Sequence, residues 1–184
     1  MLPDLCVLGL VFALRILPRR RKWPRSRFLL SCGLYIYFCG VLRVTLLPVV
    51  SRLPHVAEHV FAVNLRPFRD LLYGWGDSVG QILLNMLLFL PFGTLVPLRT
   101  GRGLFLTLLQ AAACSATIEL VQPFFDRSCD ITDFITNTVG CACGYLVGLP
   151  LRPPLQRLGR WLDEEKRLSA PRAESLKNIY ANTT

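Results

Sequence analysis

The most informative stretch of this chain is ITDFITNTVGCACGYLVGLPL, residues 131–151. At 1.5 Å per residue, it is long enough to cross a hydrocarbon core of roughly 30 Å as a helix. Glycine recurs at every fourth position, a spacing that lets a second helix come close: Gly140, Gly144 and Gly148. Asp133 and Asn137 continue the same helical face toward the beginning of the stretch. The stretch therefore predicts a transmembrane helix whose packing face is polar at one end.

The rest of the chain has the same membrane-protein character. Apolar residues make up 52% of its 184 residues and charged residues 18%, whereas soluble domains usually contain about 25% charged residues. Four further apolar stretches separate the charged blocks: Leu2–Leu17, Phe28–Val50, Val79–Leu98 and Leu104–Phe125. The first is short, but a basic block follows its apolar part instead of preceding it, unlike a cleaved signal peptide. We predict an all-α, multi-pass transmembrane helical bundle with about five spans.

Lysine and arginine are divided unevenly between the segments that join these spans. With five spans, fifteen basic residues lie on one side, in the block Pro18–Arg27, the short segment Arg99–Gly103 and the tail after Leu151. Four lie on the opposite side: Arg52, Arg66, Arg69 and Arg127. Because basic segments are retained in the cytoplasm, we predict a multi-pass protein of the cell membrane with its N-terminus outside and its C-terminus in the cytoplasm.

This topology divides the chain into three regions. Residues 1–27 form a short N-terminal transmembrane helix and a basic cytoplasmic loop, residues 28–151 the main transmembrane domain, and residues 152–184 a cytoplasmic tail. Within the tail, Leu155–Leu168 has the pattern of an amphipathic helix that lies at the membrane surface. Despite the net charge of +9, the predicted partner is the lipid bilayer and not nucleic acid, because the basic block acts as a topology signal on lipid headgroups.

Several spans contain ionisable or amide side chains, which membrane helices usually avoid. With the predicted orientation, all of these side chains lie in the outer half of the membrane. They are Arg43 in the second span, Gln81 and Asn85 in the third, Glu119 and Gln122 in the fourth, and Asp130, Asp133 and Asn137 at the start of the fifth. Four helices thus bring polar groups to one level, which predicts a pocket that faces the outer leaflet.

The long segment between the second and third spans, Ser51–Ser78, contains the sequence NLRPFRD at residues 64–70. A loop of this length in a compact protein is usually functional or contains structure of its own. Pro67 excludes a regular helix through its middle. We expect the loop to fold back over the polar cluster and to bring Arg66 toward the carboxylates.

The polar cluster has a structural and a functional interpretation. In the structural one, Arg43 and Arg66 neutralise Glu119 and Asp133 and serve only to join helices. Interhelical polar contacts contribute about 0.6 kcal/mol on average, and the glycine pattern can join the helices without them. We therefore favour a functional pocket.

The cysteine and histidine residues indicate neither a disulfide framework nor a metal site. Six of the seven cysteines lie inside apolar stretches, where a thiol behaves as a small apolar group, and only Cys129 lies in a predicted loop. His55 and His59 are four residues apart in an irregular segment, and we interpret them as solvated loop residues. We predict no metal site and assign no cofactor.

Five short blocks resemble the VanZ family in their order and spacing. They are NLRPF (64–68), LNMLLFLPFG (84–93), SATIELVQ (115–122), RSCDITD (127–133) and NTVG (137–140). Each block alone is weak, but the combination covers roughly residues 43–148. One departure is Pro123, which directly follows Gln122.

This resemblance implies a bacterial multi-pass membrane protein, with a VanZ-like domain over residues 28–151, that lowers susceptibility to lipid-bearing glycopeptides such as teicoplanin. It supplies no mechanism. The ligand-binding candidates are the polar residues of the cluster, its loop and its connecting segment: Arg43, Asn64, Arg66, Asn85, Glu119, Gln122, Arg127, Asp130, Asp133 and Asn137.

Three functions are consistent with these residues. The first is binding or modification, at the outer leaflet, of a cell-envelope lipid intermediate or a lipidated glycopeptide, with Arg43, Arg66 and Arg127 on its phosphate or carboxylate groups. The second is a membrane-embedded hydrolase or transferase, with Glu119 and Asp133 as the catalytic candidates. The third is a small transporter or an accessory subunit. The sequence leaves the oligomeric state open. A homodimer would be needed if five short helices cannot enclose a pocket alone.

Overall fold

The computed structural model describes residues 2–46, 62–125 and 127–181, with side chains described between Asp4 and Leu168. It contains six α-helices in these ranges: α1 (Leu2–Arg15), α2 (Arg25–Thr45), α3 (Arg69–Tyr73), α4 (Ser78–Thr100), α5 (Leu104–Val121) and α6 (Ile131–Ala181). Short 3₁₀ turns cover Leu17–Arg20 and Gln122–Phe125. Two strands of two residues each, β1 (Val63–Asn64) and β2 (Cys129–Asp130), pair in parallel.

Four helices of the described chain are long and apolar enough to cross a membrane: Arg25–Thr45, Ser78–Thr100, Leu104–Phe125 and Ile131–Leu168. They confirm the predicted all-α transmembrane bundle. The first predicted span also forms a helix, but α1 has 14 residues and is therefore about 21 Å long, shorter than the hydrocarbon core. It packs on α2 through a ring contact of 5.2 Å between Phe12 and Tyr35 and through a hydrogen bond from the Tyr35 hydroxyl to the Leu8 carbonyl.

Helices α4 and α6 pack with their backbones in direct contact. A Cβ atom added to Gly140 or Gly144 would overlap the backbone carbonyl oxygen of Met86 or Leu90, respectively, and one added to Gly93 would overlap the carbonyl oxygen of Cys141. The predicted glycine face of the last span is therefore confirmed, and α4 is its partner.

Two kinds of contact fill the remainder of the bundle core. Aromatic rings pack between helices, with Phe92 between Phe38 of α2 and Phe89 of its own helix, at centroid distances of 5.9 and 5.8 Å. Side-chain hydroxyls bond backbone carbonyls across helices, since Thr94 donates to Gly144 at 2.8 Å and Tyr37 donates to Leu88 at 2.8 Å. Such bonds satisfy polar groups that lipid could not satisfy.

Helix α6 continues beyond the apolar stretch, from Ile131 to Ala181. The predicted tail helix Leu155–Leu168 is present, as a continuation of α6. Its Asp163 carboxylate accepts hydrogen bonds from the backbone N–H of Ser26 at 2.9 Å and from the Ser26 hydroxyl at 2.6 Å. A residue of the tail thus binds one of the free N–H groups at the start of α2. Arg25 and Glu165 form an ion pair beside it at 2.9 Å.

We predict that Gly144→Ala destabilises the protein because its methyl group would push the α4 backbone away. Overpacking of this kind usually costs about 1–3 kcal/mol, so the unfolding temperature in detergent should fall by several degrees. Gly40→Ala in α2 is the matched control, since nothing lies within 4 Å of its Cβ position, and it should unfold at or above the temperature of the unchanged protein. Equal unfolding temperatures for the two variants would contradict the close α4–α6 contact.

Candidate functional site

Asp130, the residue before α6, connects three segments of the chain. Its Oδ1 accepts the backbone N–H of Thr132 at 2.7 Å, which satisfies a free N–H at the start of α6. Its Oδ2 accepts the side-chain amide of Asn64 at 2.8 Å, and its own N–H donates to Glu119 Oε2 at 2.9 Å. The end of α5, the start of α6 and the loop that contains Asn64 therefore meet at Asp130.

The described part of the long loop folds over this point, as predicted. Its β1 strand pairs with β2, with Val63 opposite Cys129 and Asn64 opposite Asp130. Four residues later the Phe68 N–H donates to Thr132 Oγ1 at 2.9 Å. Phe68 has a φ of 56°, in the left-handed region that non-glycine residues rarely adopt. The Thr132 bond helps to hold this strained backbone in place.

The other predicted polar residues lie next to this junction. The Asn137 amide donates to Ser115 Oγ at 2.9 Å, deep between α6 and α5. Glu119, one turn beyond Ser115, is only 4% exposed. The side chain of Asn85 in α4 lies near the Asp133 carboxylate and interacts with it. Side chains from α4, α5, α6 and the loop therefore form one cluster: Asn64, Asn85, Glu119, Asp130, Asp133 and Asn137.

Gln122 is also buried at this end of the bundle, in the turn that follows α5, and is 5% exposed. Its Oε1 has no hydrogen-bond partner among the described residues, and the same is true of Asn137 Oδ1. A buried acceptor without a donor is costly. The cluster therefore contains more acceptors than donors.

The arginines are placed differently from the sequence-based expectation. Arg66 is exposed, and in the described ranges its side chain forms no ion pair with a carboxylate; only its backbone N–H bonds Asn64, at 3.2 Å. The expectation that the loop brings Arg66 toward the carboxylates is therefore wrong, because the pairing of β1 with β2 places Asn64 opposite Asp130. Arg127 instead donates to the carbonyls of Val44 and Thr45 at 3.2 and 3.0 Å, at the C-terminus of α2. Arg43 is exposed in the last turn of the same helix.

A small cleft opens between the loop and the starts of α4 and α6. We call it the acidic cleft; its lining residues are Phe68, Asp70, Leu71, Ser78, Gln81, Ile82, Asp130, Thr132 and Asp133. Three of these are carboxylates and none is basic. The enclosed space, about 20 Å³, holds about one water molecule, so a larger ligand must bind at its mouth. Asp70 and Thr132 are functional candidates that were not predicted from the sequence, although Asp70 ends the segment NLRPFRD and Thr132 lies within RSCDITD.

Aromatic and apolar side chains surround the outside of the cleft. Leu65 and Leu72 of the loop are 71% and 78% exposed. Tyr73 and Trp75 stack at 5.3 Å, and the Arg69 guanidinium lies 4.7 Å from the Trp75 ring centroid. Tyrosine and tryptophan are enriched where a bilayer meets water, so the end of α3 and the segment that follows it have the composition of a boundary segment.

The carboxylate and hydroxyl oxygens of the cluster act as hydrogen-bond acceptors. Glu119 has one oxygen bound by a backbone N–H, and the hydroxyls of Ser115 and Thr132 are both held in hydrogen bonds. Within the described ranges no group of three or more histidine, cysteine, aspartate or glutamate residues could hold a metal ion. The pair His55 and His59 lies outside those ranges.

The long apolar helices and the polar cluster at one end of the bundle define this chain as a multi-pass α-helical membrane protein. It belongs to the VanZ/LLP1 family, whose model matches residues 5–152. The match includes α1 as well as the blocks that resemble the family in sequence. No curated protein and no solved structure matches the chain.

The thiol of Cys129 responds to both the burial and the charge of its surroundings. Burial, followed by the negative charges of Glu119 and Asp130, raises the pKa of its thiol above the ordinary value. A raised pKa means less reactive thiolate at a given pH. In a variant with Cys129 as its only cysteine, the alkylation rate should reach half its maximum at a higher pH in the folded protein than in detergent-denatured protein. Coinciding pH profiles would contradict the placement of the carboxylates.

Proposed function

We propose that this protein binds an amphiphile of the cell envelope at the outer face of the membrane. The ligand is a cell-envelope lipid intermediate or a lipid-bearing glycopeptide antibiotic of the teicoplanin type. One observation supports this most strongly: the carboxylate-lined acidic cleft opens at the level of an exposed aromatic segment. An amphiphile at the bilayer surface has its polar head at that level and its chain in the lipid below.

The residues of the cleft favour a head rich in hydrogen-bond donors. Asp70, Asp133 and Gln81 supply carboxylate and amide oxygens, which accept from the hydroxyl groups of sugars and from ammonium groups. No arginine lines the acidic cleft. Arg66 and Arg127 are exposed at the same end of the bundle and are the candidates for a phosphate or carboxylate farther along the ligand.

The apolar part of the ligand has a path beside the cleft. Val79, Leu83 and Leu87 of α4 repeat every fourth residue, and all are more than half exposed. They form a continuous apolar strip that begins next to Ser78 and Gln81 in the cleft lining. A lipid chain lying on this strip would extend from the bilayer surface toward the middle of the membrane.

Binding accounts for the cluster better than catalysis does. Glu119, the strongest candidate for a general base, is 4% exposed and has one oxygen on a backbone N–H. It lines neither the cleft nor its mouth. A general base must reach the proton that it removes, and the present geometry gives Glu119 a role in holding the junction of α5, α6 and the loop.

We predict that Asp133→Asn weakens ligand recognition while the protein still accumulates. The change keeps the shape of the side chain and its contact with Asn85 but removes the charge. A hydrogen bond to a charged group contributes about 1.5–3 kcal/mol, so affinity should fall about tenfold or more. In a glycopeptide-susceptible host that expresses the protein, protection against teicoplanin should decrease at equal protein abundance.

Asp77→Asn is the matched control for this experiment. Asp77 caps α4 by accepting the Gly80 N–H at 3.1 Å and does not line the cleft, and asparagine caps helices equally well. This variant should protect the host like the unchanged protein. If Asp133→Asn also protects fully, the acidic cleft is not the binding site.

The cleft should face the outside of the cell, since the opposite end of the bundle contains most of the basic residues. In cysteine-free protein, Leu72→Cys should react with a membrane-impermeant maleimide in intact cells. Arg102→Cys, in the exposed turn between α4 and α5, should react only after the cells are permeabilised. The reverse pattern would place the cleft on the cytoplasmic side and contradict the proposal.

A further inference from the structure

A second cavity lies at the other end of the bundle, where α2, α4 and the extended part of α6 meet. We call it the basic groove. Its volume is about 740 Å³, within the range of about 300–1,000 Å³ that ligand pockets usually have. It is separate from the acidic cleft, because it contacts the first turns of α2 and the last turns of α4.

The walls of the basic groove are apolar and its floor is built by specific contacts. Seven leucines form the walls: Leu29, Leu30, Leu95, Leu98, Leu155, Leu158 and Leu162. A Cβ added to Gly159 would lie 3.1 Å from the Ser26 side chain, so α6 closes onto α2 at this point. The hydrogen bonds between Asp163 and Ser26 fix the same approach.

Two arginines of the groove lining, Arg27 and Arg99, are held against one aromatic ring. Their guanidinium groups lie 5.3 and 5.1 Å from the ring centroid of Trp23, and Arg99 also donates from Nε to Ser31 Oγ at 3.0 Å. These contacts already fix the two arginine side chains, so less conformational entropy is lost when a ligand binds.

No carboxylate neutralises these two arginines within the described ranges. The ion pair there joins Arg25 to Glu165, and both oxygens of Asp163, the acidic residue of the groove lining, accept hydrogen bonds from Ser26. Two neighbouring cations that form no ion pair with a carboxylate repel each other. An external anion placed between them would relieve that repulsion and accept charge-assisted hydrogen bonds.

We propose that the basic groove binds an anionic phospholipid, with its phosphate on Arg27 and Arg99 and an acyl chain between the leucine walls. The groove combines a cationic rim with an apolar interior, which matches the charge and shape of such a lipid. Trp23 and the 59% exposed Trp161 lie near this end, as expected for side chains at headgroup level. This site differs from the proposed amphiphile site in position, charge and ligand.

The test uses the full chain purified in a neutral detergent. Phosphatidylglycerol added to the micelles should raise the unfolding temperature more than phosphatidylcholine at the same mole fraction. Arg27→Gln and Arg99→Gln should each weaken the apparent phosphatidylglycerol affinity about tenfold, the effect of losing one charge-assisted hydrogen bond. Arg27→Gln is the more conservative variant, since this exposed side chain bonds no protein carbonyl or hydroxyl in the described ranges.

Matched controls separate the groove from the general charge and apolarity of the protein. Arg102→Gln removes one exposed charge near α4 outside the groove and should change the affinity less than about twofold, as expected for an exposed charge. Leu158→Gln should weaken lipid binding, whereas Leu168→Gln, on the same helix but outside the groove, should not.

Three results would overturn the proposal. The first is an equal rise in unfolding temperature with phosphatidylglycerol and with phosphatidylcholine. The second is an equal loss of phosphatidylglycerol affinity in Arg102→Gln and Arg27→Gln. The third is a rise in unfolding temperature with inorganic phosphate or a soluble acidic peptide that equals the rise with phosphatidylglycerol, which would show that the site does not require a lipid.

Discussion

The structure depends on the contact between the backbones of α4 and α6. Gly93, Gly140 and Gly144 have no side chain in this interface, so carbonyl groups of one helix occupy the space where a methyl group of the other would be. This close approach determines the depth at which Asn85 faces Asp133, and with it the position of the polar cluster. In lipid, where apolar burial does not drive helix association, such packing is the main source of cohesion.

The two ends of the bundle have opposite chemical character. At one end carboxylates and amides gather around the start of α6, and at the other end arginines surround the start of α2 and the end of α4. The polar contacts at the acidic end tie the loop to α5 and α6, yet they leave Asp133 in the cleft and Gln122 Oε1 without a described donor. Glu119 and Asp130 hold the junction of α5, α6 and the loop, so the proposed ligand recognition concerns the residues that line the acidic cleft.

Periodic features were predictable from the sequence, and contacts between distant residues were not. The spacing of glycines identified the packing face of α6, and the common depth of Asn85, Glu119 and Asp133 identified the cluster. The loop was correctly placed over that cluster, but Arg66 was expected inside and Asn64 occupies the position. The bonds between Ser26 and Asp163 join residues 137 positions apart, and no local sequence pattern predicts them. Hence the continuity of Leu155–Leu168 with α6 and its contact with the start of α2 were not predicted.

The most direct test of the proposed function is equilibrium binding to the full chain in lipid nanodiscs. Teicoplanin, which bears an acyl chain, is compared with vancomycin, which lacks one, and with a polyprenyl-linked cell-wall precursor. We expect saturable binding of teicoplanin or of the precursor, and much weaker binding of vancomycin, because both the acidic cleft and the apolar strip on α4 contribute. Saturable binding of vancomycin with the same affinity as teicoplanin, or no saturable binding of any of the three, would contradict it.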